Sequence, residues 1–133
     1  MNEVDDASSL PAGAQVVRSG AGDRMEEPSN AAHVQPIVRF SEGSSSTSVT
    51  WVSIHGRHRQ LSSRRSARCY YVLTGDLTFV LAARQPLSLH AGDALVIPRG
   101  CVYEFEGSAT YLVVNTPAFE PGDDDYAQGA PQG

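Results

Sequence analysis

Apolar and polar residues alternate in short runs through the middle of this 133-residue chain. The run SVTWVSIH at 48–55 alternates with a period of two, which is typical of a strand with one buried face. PIVRF at 36–40 precedes it, and VYEFEG and TYLVVNTP follow later in the chain. Aromatic and β-branched residues dominate these runs, and none carries a helical stripe. The pattern predicts an all-β protein of short antiparallel strands.

Turn-forming residues separate the predicted strands. The stretch 61–82 is expected to form two strands joined at Thr74, Gly75 and Asp76, and the stretch 86–98 is expected to turn at 91–93. Regularly spaced short strands over about 90 residues indicate a barrel or a sandwich.

Composition divides the chain into three parts. Residues 1–33 and 120–133 are rich in Ala, Gly, Ser, Pro and acidic residues, each with a net charge of −4, and they are predicted to be disordered. Residues 34–119 carry a net charge of +3 and form the predicted barrel domain. So small a core favours stabilisation by a homodimer. Because the charges are opposite, the N-terminal segment around 25–33 is expected to be either a lid over the barrel or a solubilising tail.

Several classes of function are disfavoured by composition. The chain contains no lysine, which excludes Schiff-base chemistry by a lysine. The overall charge of −5 and the lack of exposed aromatic residues interleaved with the basic ones argue against nucleic-acid binding. No apolar run is long enough to cross a membrane, and no secretory leader is recognised, so a cytoplasmic protein is expected.

Two sets of spacings resemble the conserved motifs of the cupin superfamily, a family of small jelly-roll barrels. The first motif's spacing is matched by Gly56, Ser62, Arg64, Arg68 and Gly75, and the second motif's by Gly92, Pro98, Gly100 and Tyr103. The resemblance covers residues from about 36 to 119 and implies a cupin jelly-roll barrel. It does not specify a reaction, because cupins support many unrelated chemistries.

The resemblance also implies that this chain lacks the metal site of metal-binding cupins. In those proteins the two motifs supply three histidines and a glutamate, whose positions here are taken by Ser62, Arg64, Arg68 and Tyr103. A guanidinium cannot coordinate a divalent metal and would repel it. We therefore expect a metal-free protein with no cofactor.

If the register of the family holds, Ser62, Arg64 and Arg68 share a pocket with Tyr103, and Tyr70 also points inward. Two buried guanidinium groups would require anions, so a substrate that is anionic or forms an oxyanion is expected. Nearby positive charge would lower the pKa of Tyr103 and suit it to proton transfer. Alternatively, Arg64 and Arg68 lie on a solvated edge and point outward.

Other candidates have weaker signals. His55 and His58 flank Gly56 and are expected in a loop at the strand end. His55 is still a second candidate base if it shares an inward face with Trp51 and Ser53. Phe105 and Tyr111 are expected to line the barrel and to shape the ligand site.

These residues favour a metal-independent enzyme acting on a small molecule that bears a carbonyl or carboxylate. Isomerisation, epimerisation, dehydration or cyclisation would suit them, with Arg64 and Arg68 holding an oxyanion, Tyr103 moving a proton and Ser62 adding a hydrogen bond. The resemblance implies a place in polyketide or sugar tailoring. One alternative is a non-catalytic module that binds a small anion. Another, less favoured, is a metalloenzyme that uses histidines at 55, 58 and 90.

Overall fold

The computed structural model describes residues 24–38 and 46–126, together with the isolated positions 11, 12, 14, 16 and 18. Its strands are β1 (Met25–Glu27), β2 (Ala32–Val38), β3 (Ser48–Ser63), β4 (Ala67–Leu81), β5 (Leu87–His90), β6 (Ala94–Ile97), β7 (Tyr103–Thr116) and β8 (Asp124–Tyr126). A single turn of 3-10 helix, Pro28–Asn30, joins β1 to β2. The predicted all-β class is confirmed.

All strand pairs are antiparallel, and three long strands form the frame of the sheet. The order is β1-β2-β3-β7-β4-β5, with β6 also paired to β4 and β8 also paired to β3. The register breaks between His58 and Leu61 on β3 and between Val72 and Thr74 on β4. Such irregularities bend long strands and increase their twist, which allows one sheet to curl into a barrel.

The barrel interior is filled mainly by aromatic and aliphatic side chains. Phe79 and Phe105 stack with centroids 4.6 Å apart, and Tyr70 meets both rings edge-on. Ile54 and Val72 are fully buried beside them. Burial of each large apolar side chain contributes about 1.5–3 kcal/mol, so this cluster is a main source of stability.

The predicted turn at 74–76 is wrong, and β4 runs through it as one strand. Gly75 has a φ of +82°, and a Cβ there would lie 2.1 Å from the carbonyl oxygen of Ser108. The glycine therefore serves a close crossing of β4 and β7 rather than a hairpin. The two predicted C-terminal strands are likewise one strand, β7, whereas the turn at 91–93 between β5 and β6 is confirmed.

Ordered structure extends into both segments that were predicted to be disordered. β1, the 3-10 helix and the start of β2 lie within 1–33, and β8 lies within 120–133. β1 pairs with β2 from Met25 to Glu27, and β8 pairs with β3. Backbone pairing with neighbouring strands holds these acidic residues against the barrel. Such pairing cannot be recognised from amino-acid composition. The rest of both segments lies largely outside the described residues.

In the part of the chain that the structure describes, no helix has the length and apolar character needed to cross a membrane.

Candidate active site

A cavity of about 110 Å³ lies inside the barrel, and residues near both ends of the described chain contribute to its wall. Strands β1, β2, β3, β4 and β7 contribute to it, as does the segment after β7. Its lining residues are Glu27, Ala32, Val34, Thr50, Val52, His58, Arg68, Tyr70, Tyr111, Val113, Asn115, Phe119 and Asp124. A cavity of this size, with polar and apolar side chains in its wall, is suited to a small ligand. It suits one ring or one functional end of a small molecule.

Among the described residues, Arg68 is the only arginine that lines this cavity, and its side chain is 5% exposed. Its Nε donates to Oδ1 of Asn115 at 2.6 Å, and its Nη1 donates to the hydroxyl of Tyr103 at 3.1 Å. Its Nη2 forms an ion pair with Asp124. Every nitrogen of the guanidinium therefore has a protein partner, which fixes both its position and its orientation.

The hydroxyl of Tyr103 also lies 2.5 Å from the hydroxyl of Tyr70. Because Tyr103 accepts from Arg68, it can donate its own proton to Tyr70, which lines the cavity and whose hydroxyl proton then remains for another acceptor. Arg68, Tyr103 and Tyr70 thus form a chain of hydrogen bonds that begins at a buried cation and ends at the cavity wall.

The phenols in this chain remain protonated near neutral pH. Burial raises the pKa of Tyr103, and although Arg68 opposes the increase, burial dominates. Burial likewise raises the pKa of Tyr70 and of Tyr111 well above the ordinary value. The prediction that positive charge would lower the pKa of Tyr103 is therefore wrong, because burial of the phenol outweighs the nearby guanidinium. These groups are hydrogen-bond donors rather than bases.

The histidine in the cavity wall is His58, on β3. Its ring stacks on Phe105 with centroids 4.7 Å apart. Burial lowers its pKa to about 4, so the ring is neutral near pH 7. Nδ1 lies 2.9 Å from the carbonyl oxygen of Arg59, which can only accept, so Nδ1 carries the proton. Among the described residues Nε2 has no hydrogen-bond partner, and it is therefore available as a proton acceptor.

Several of the predicted site residues lie close together in the structure. Arg68, Tyr70 and Tyr111 line the cavity, and Tyr103 lies directly behind Tyr70. Phe105 is buried and does not line this cavity, and its ring stacks against the ring of His58.

The predicted placement of Arg64 and Ser62 in the pocket is wrong. The Arg64 side chain is 62% exposed and lies 3.8 Å from Asp125 in an ion pair. β3 ends at Ser63 and β4 begins at Ala67, so strand alternation does not carry over from Arg64 to Arg68. Ser62 lies on the face of β3 opposite to that of its buried neighbours Leu61 and Ser63, and it does not line the cavity.

The predicted inward face of β3 is also wrong. Thr50 and Val52 line the cavity, which places Trp51, Ser53 and His55 on the opposite face. The guanidinium carbon of Arg24 lies 4.6 Å from the centroid of the Trp51 ring. This cation–π contact stabilises the tryptophan on the outer face of the barrel. Ser53 is half-buried on this face. His55 is exposed, with Nδ1 2.7 Å from the hydroxyl of Ser108.

The residues at the four metal-ligand positions do not fit a divalent metal. Two of them, Ser62 and Arg64, lie away from the cavity, and the others are a cation, Arg68, and a protonated phenol, Tyr103. Within the described ranges no three His, Cys, Asp or Glu side chains form a cluster able to hold a metal.

Sequence reasoning missed three residues of the site. His58 follows Gly56 and was expected in a loop, whereas Asn115 carried no motif signal. Asp124 lies in the acidic segment that was predicted to be disordered. Its carboxylate supplies Arg68 with an anion that was expected to come from a substrate. Of the three, only His58 had a usable signal, because it is a histidine inside a β-rich run.

The sequence matches no protein-family model and no curated protein. Solved structures do match. PAC13 from Streptomyces, described as a unique nucleoside dehydratase, is 20% identical with a TM-score of 0.74, covering 86% of this chain and 91% of PAC13. The polyketide cyclase RemF from Streptomyces resistomycificus is 17% identical with a TM-score of 0.68, covering 86% of this chain and 85% of RemF.

A cupin-like protein from Thermotoga maritima is 17% identical with a TM-score of 0.66, covering 79% of this chain and 84% of its own. Together these similarities show that the chain has a cupin fold, as the motif spacings predicted.

Proposed function

We propose that this protein is a metal-independent enzyme that catalyses dehydration or cyclisation of a carbonyl-bearing small molecule. The observation that carries the proposal is the presence in one cavity of a neutral imidazole, His58, and a hydrogen-bond donor, Tyr70, backed by a buried cation. Two proteins of the same fold support the reaction class, since one is described as a nucleoside dehydratase and the other as a polyketide cyclase.

His58 is the proposed general base. Its Nδ1 proton is engaged by the carbonyl of Arg59, which fixes the tautomer and leaves the Nε2 lone pair to accept a proton. Its lowered pKa keeps it in the basic form at all pH values well above 4. A positioned general base typically contributes about 10²–10⁴-fold to a rate, and the lowered pKa, which makes this imidazole a weaker base, favours the lower part of that range.

Tyr70 is the proposed donor to the substrate oxygen. Negative charge that develops on a carbonyl oxygen during enolisation would receive the Tyr70 hydroxyl proton as a hydrogen bond. Arg68 strengthens that bond through Tyr103, because each donor in the chain polarises the next. Preorganised donors of this kind stabilise an oxyanion without reorganising during the reaction.

These roles balance for a β-elimination. His58 Nε2 removes the proton next to the carbonyl, and the electron pair moves toward the oxygen held by Tyr70. The electrons then return to form the carbon–carbon double bond as the β-hydroxyl leaves. That hydroxyl takes the proton from His58 and departs as water, which restores the neutral imidazole. No metal, oxidant or reductant is required.

A non-catalytic module for a small ligand is the second candidate. It would need no base and no second titratable group beside Tyr103. Tyr70 lies 2.5 Å from Tyr103, and His58 lies in the same cavity wall, so the arrangement favours the enzyme.

The test is turnover in D₂O of a panel of β-hydroxy aldehydes and ketones built on nucleosides and aromatic polyketides. Mass spectrometry would detect loss of water, and NMR would detect deuterium next to the carbonyl. We expect at least one compound to react, His58→Gln to lose about 100-fold or more, and His55→Gln, the exposed control, to match the wild type. Compounds that bind without reacting, or full activity in His58→Gln, would refute the proposal.

A homodimer and a cytoplasmic location are also part of this proposal. Support for the dimer comes from the outer face of β4 and β6, where Tyr71, Leu73 and Val96 are 41%, 37% and 65% exposed. An apolar sheet face of this kind is suited to packing against a second copy of the chain. The cytoplasmic location rests on the sequence alone.

A further inference from the structure

The carboxylate of Asp124 occupies the one side of the Arg68 guanidinium that the barrel strands leave open. Asn115 and Tyr103, both on β7, bind Nε and Nη1, whereas Asp124 reaches Nη2 from β8. The Asp124 side chain is 24% exposed and lines the cavity. An anion from a substrate would have to compete for the position that this carboxylate already holds.

The segment before β8 is fixed to the barrel, so Asp124 is held in place. Arg65 donates to Oδ1 of Asp123 at 3.2 Å and to the carbonyl oxygen of Ala118 at 3.2 Å, and it also pairs with Glu120. The amide of Arg64 donates to the carbonyl oxygen of Asp123 at 2.9 Å. The residue next to Asp124 is thus bound through both its side chain and its backbone.

The cavity as a whole does not attract anions. Its described lining carries two carboxylates, Glu27 and Asp124, against one cation, Arg68. His58 adds no charge near pH 7, because burial lowers its pKa to about 4. A substrate carboxylate or phosphate would therefore lose its water shell in a cavity with an excess of negative charge, which is unfavourable.

We propose that Asp124 is a specificity-determining residue, a built-in anion that makes the cavity select uncharged polar substrates and reject carboxylates and phosphates. The proposal rests on the proposed function only for the location of the site. It replaces the expectation of an anionic substrate with that of a neutral carbonyl or hydroxyl compound.

Anion binding in the absence of any substrate tests the proposal. Acetate and inorganic phosphate would be titrated up to about 10 mM into the wild type, Asp124→Asn and Asp125→Asn, with binding followed by backbone amide NMR. Asp125 is the matched control, because it is adjacent, acidic and paired only with the exposed Arg64 among the described residues. We expect saturable binding in Asp124→Asn, at least about tenfold tighter than in the other two proteins.

A second variant, Asp124→Thr, guards against misfolding of the first, since threonine favours the strand in which this residue lies. Gain of anion binding in either variant, with shifts at the Arg68 and Asn115 side chains, supports the proposal. It is overturned if the wild type binds acetate as tightly as the variants, or if the Asp124 and Asp125 variants behave alike. Failure of the proposed enzyme activity would leave these results unchanged, so the two ideas fail separately.

Discussion

Acidification should destabilise this protein through His58, a residue buried among Phe105, Arg68 and the cavity wall. The perturbation is a change from pH 7 to pH 5, compared between the wild type and His58→Gln. Burial lowers the pKa of His58 from 6.5 to about 4 in the folded protein, whereas in the unfolded chain it has its ordinary value. Between these values the unfolded chain binds a proton that the folded protein does not.

The sign and size of the effect follow from proton linkage. A folded pKa below the unfolded one means that stability is present above pH 6.5 and is lost as the pH falls toward 4. The complete shift corresponds to about 3 kcal/mol, and the part lost between pH 7 and pH 5 is about 2 kcal/mol. Other titrating groups contribute equally to both proteins and cancel in the comparison.

Urea unfolding followed by circular dichroism at the two pH values measures the difference. The free energy of unfolding of the wild type should fall by about 2 kcal/mol more than that of His58→Gln. His55→Gln, at an exposed site, should behave like the wild type. NMR titration should show one imidazole that stays neutral down to about pH 4 and is absent from His58→Gln. Equal pH dependence in all three proteins would refute the assigned burial of His58.

Four further outcomes are expected. Arg68→Met leaves the Asp124 carboxylate unpaired and should lower the free energy of unfolding by about 3–5 kcal/mol, whereas Arg64→Met should change it by less than about 0.5 kcal/mol in the same urea assay. Chelator treatment should leave the melting temperature unchanged, and elemental analysis showing about one transition metal per chain would contradict the side-chain mechanism. Deletion of residues 1–30 should lower the melting temperature because it removes β1, while deletion of 1–23 should not; equal effects would show that β1 adds no stability. Val96→Asp should shift sedimentation toward the monomer, and an unchanged sedimentation coefficient would exclude β6 from the interface.

The fold was predictable because its turn chemistry is local. Gly92 and Gly100 both have positive φ, at turns that flank β6, so the glycine and proline spacings report real backbone constraints. Arg68 and Tyr103, which the family register predicted to lie close together, are in contact through a hydrogen bond between β4 and β7, although only Arg68 lines the cavity. The turn predicted at 74–76 was wrong because a glycine at a close crossing of two strands cannot be distinguished in the sequence from a glycine in a hairpin turn.

The inward face of β3 could not be decided from the alternation alone. Both of its faces carry apolar residues, with Trp51 on one and Val52 and Ile54 on the other. The tryptophan suggested the wrong face, because its ring is covered from outside by Arg24, an interaction distant in sequence. His58 was misplaced as well, because it shares the face of Val52 and Ile54 and because the strand was expected to end near Gly56.

The ion pair between Arg68 and Asp124 links the proposed metal-independent site to the position of β8 in the sheet. In metal-binding cupins a cation is held by histidines and a carboxylate, whereas here the cation is a side chain covalently bound to β4. A buried guanidinium needs a counter-charge, and β8 supplies it by pairing with β3. The acidic composition that suggested disorder is therefore a requirement of the site. In the proposed enzyme this fixed and neutralised cation would act through Tyr103 and Tyr70 as a hydrogen-bond donor to oxygen, which suits reactions of uncharged carbonyl compounds better than capture of anions.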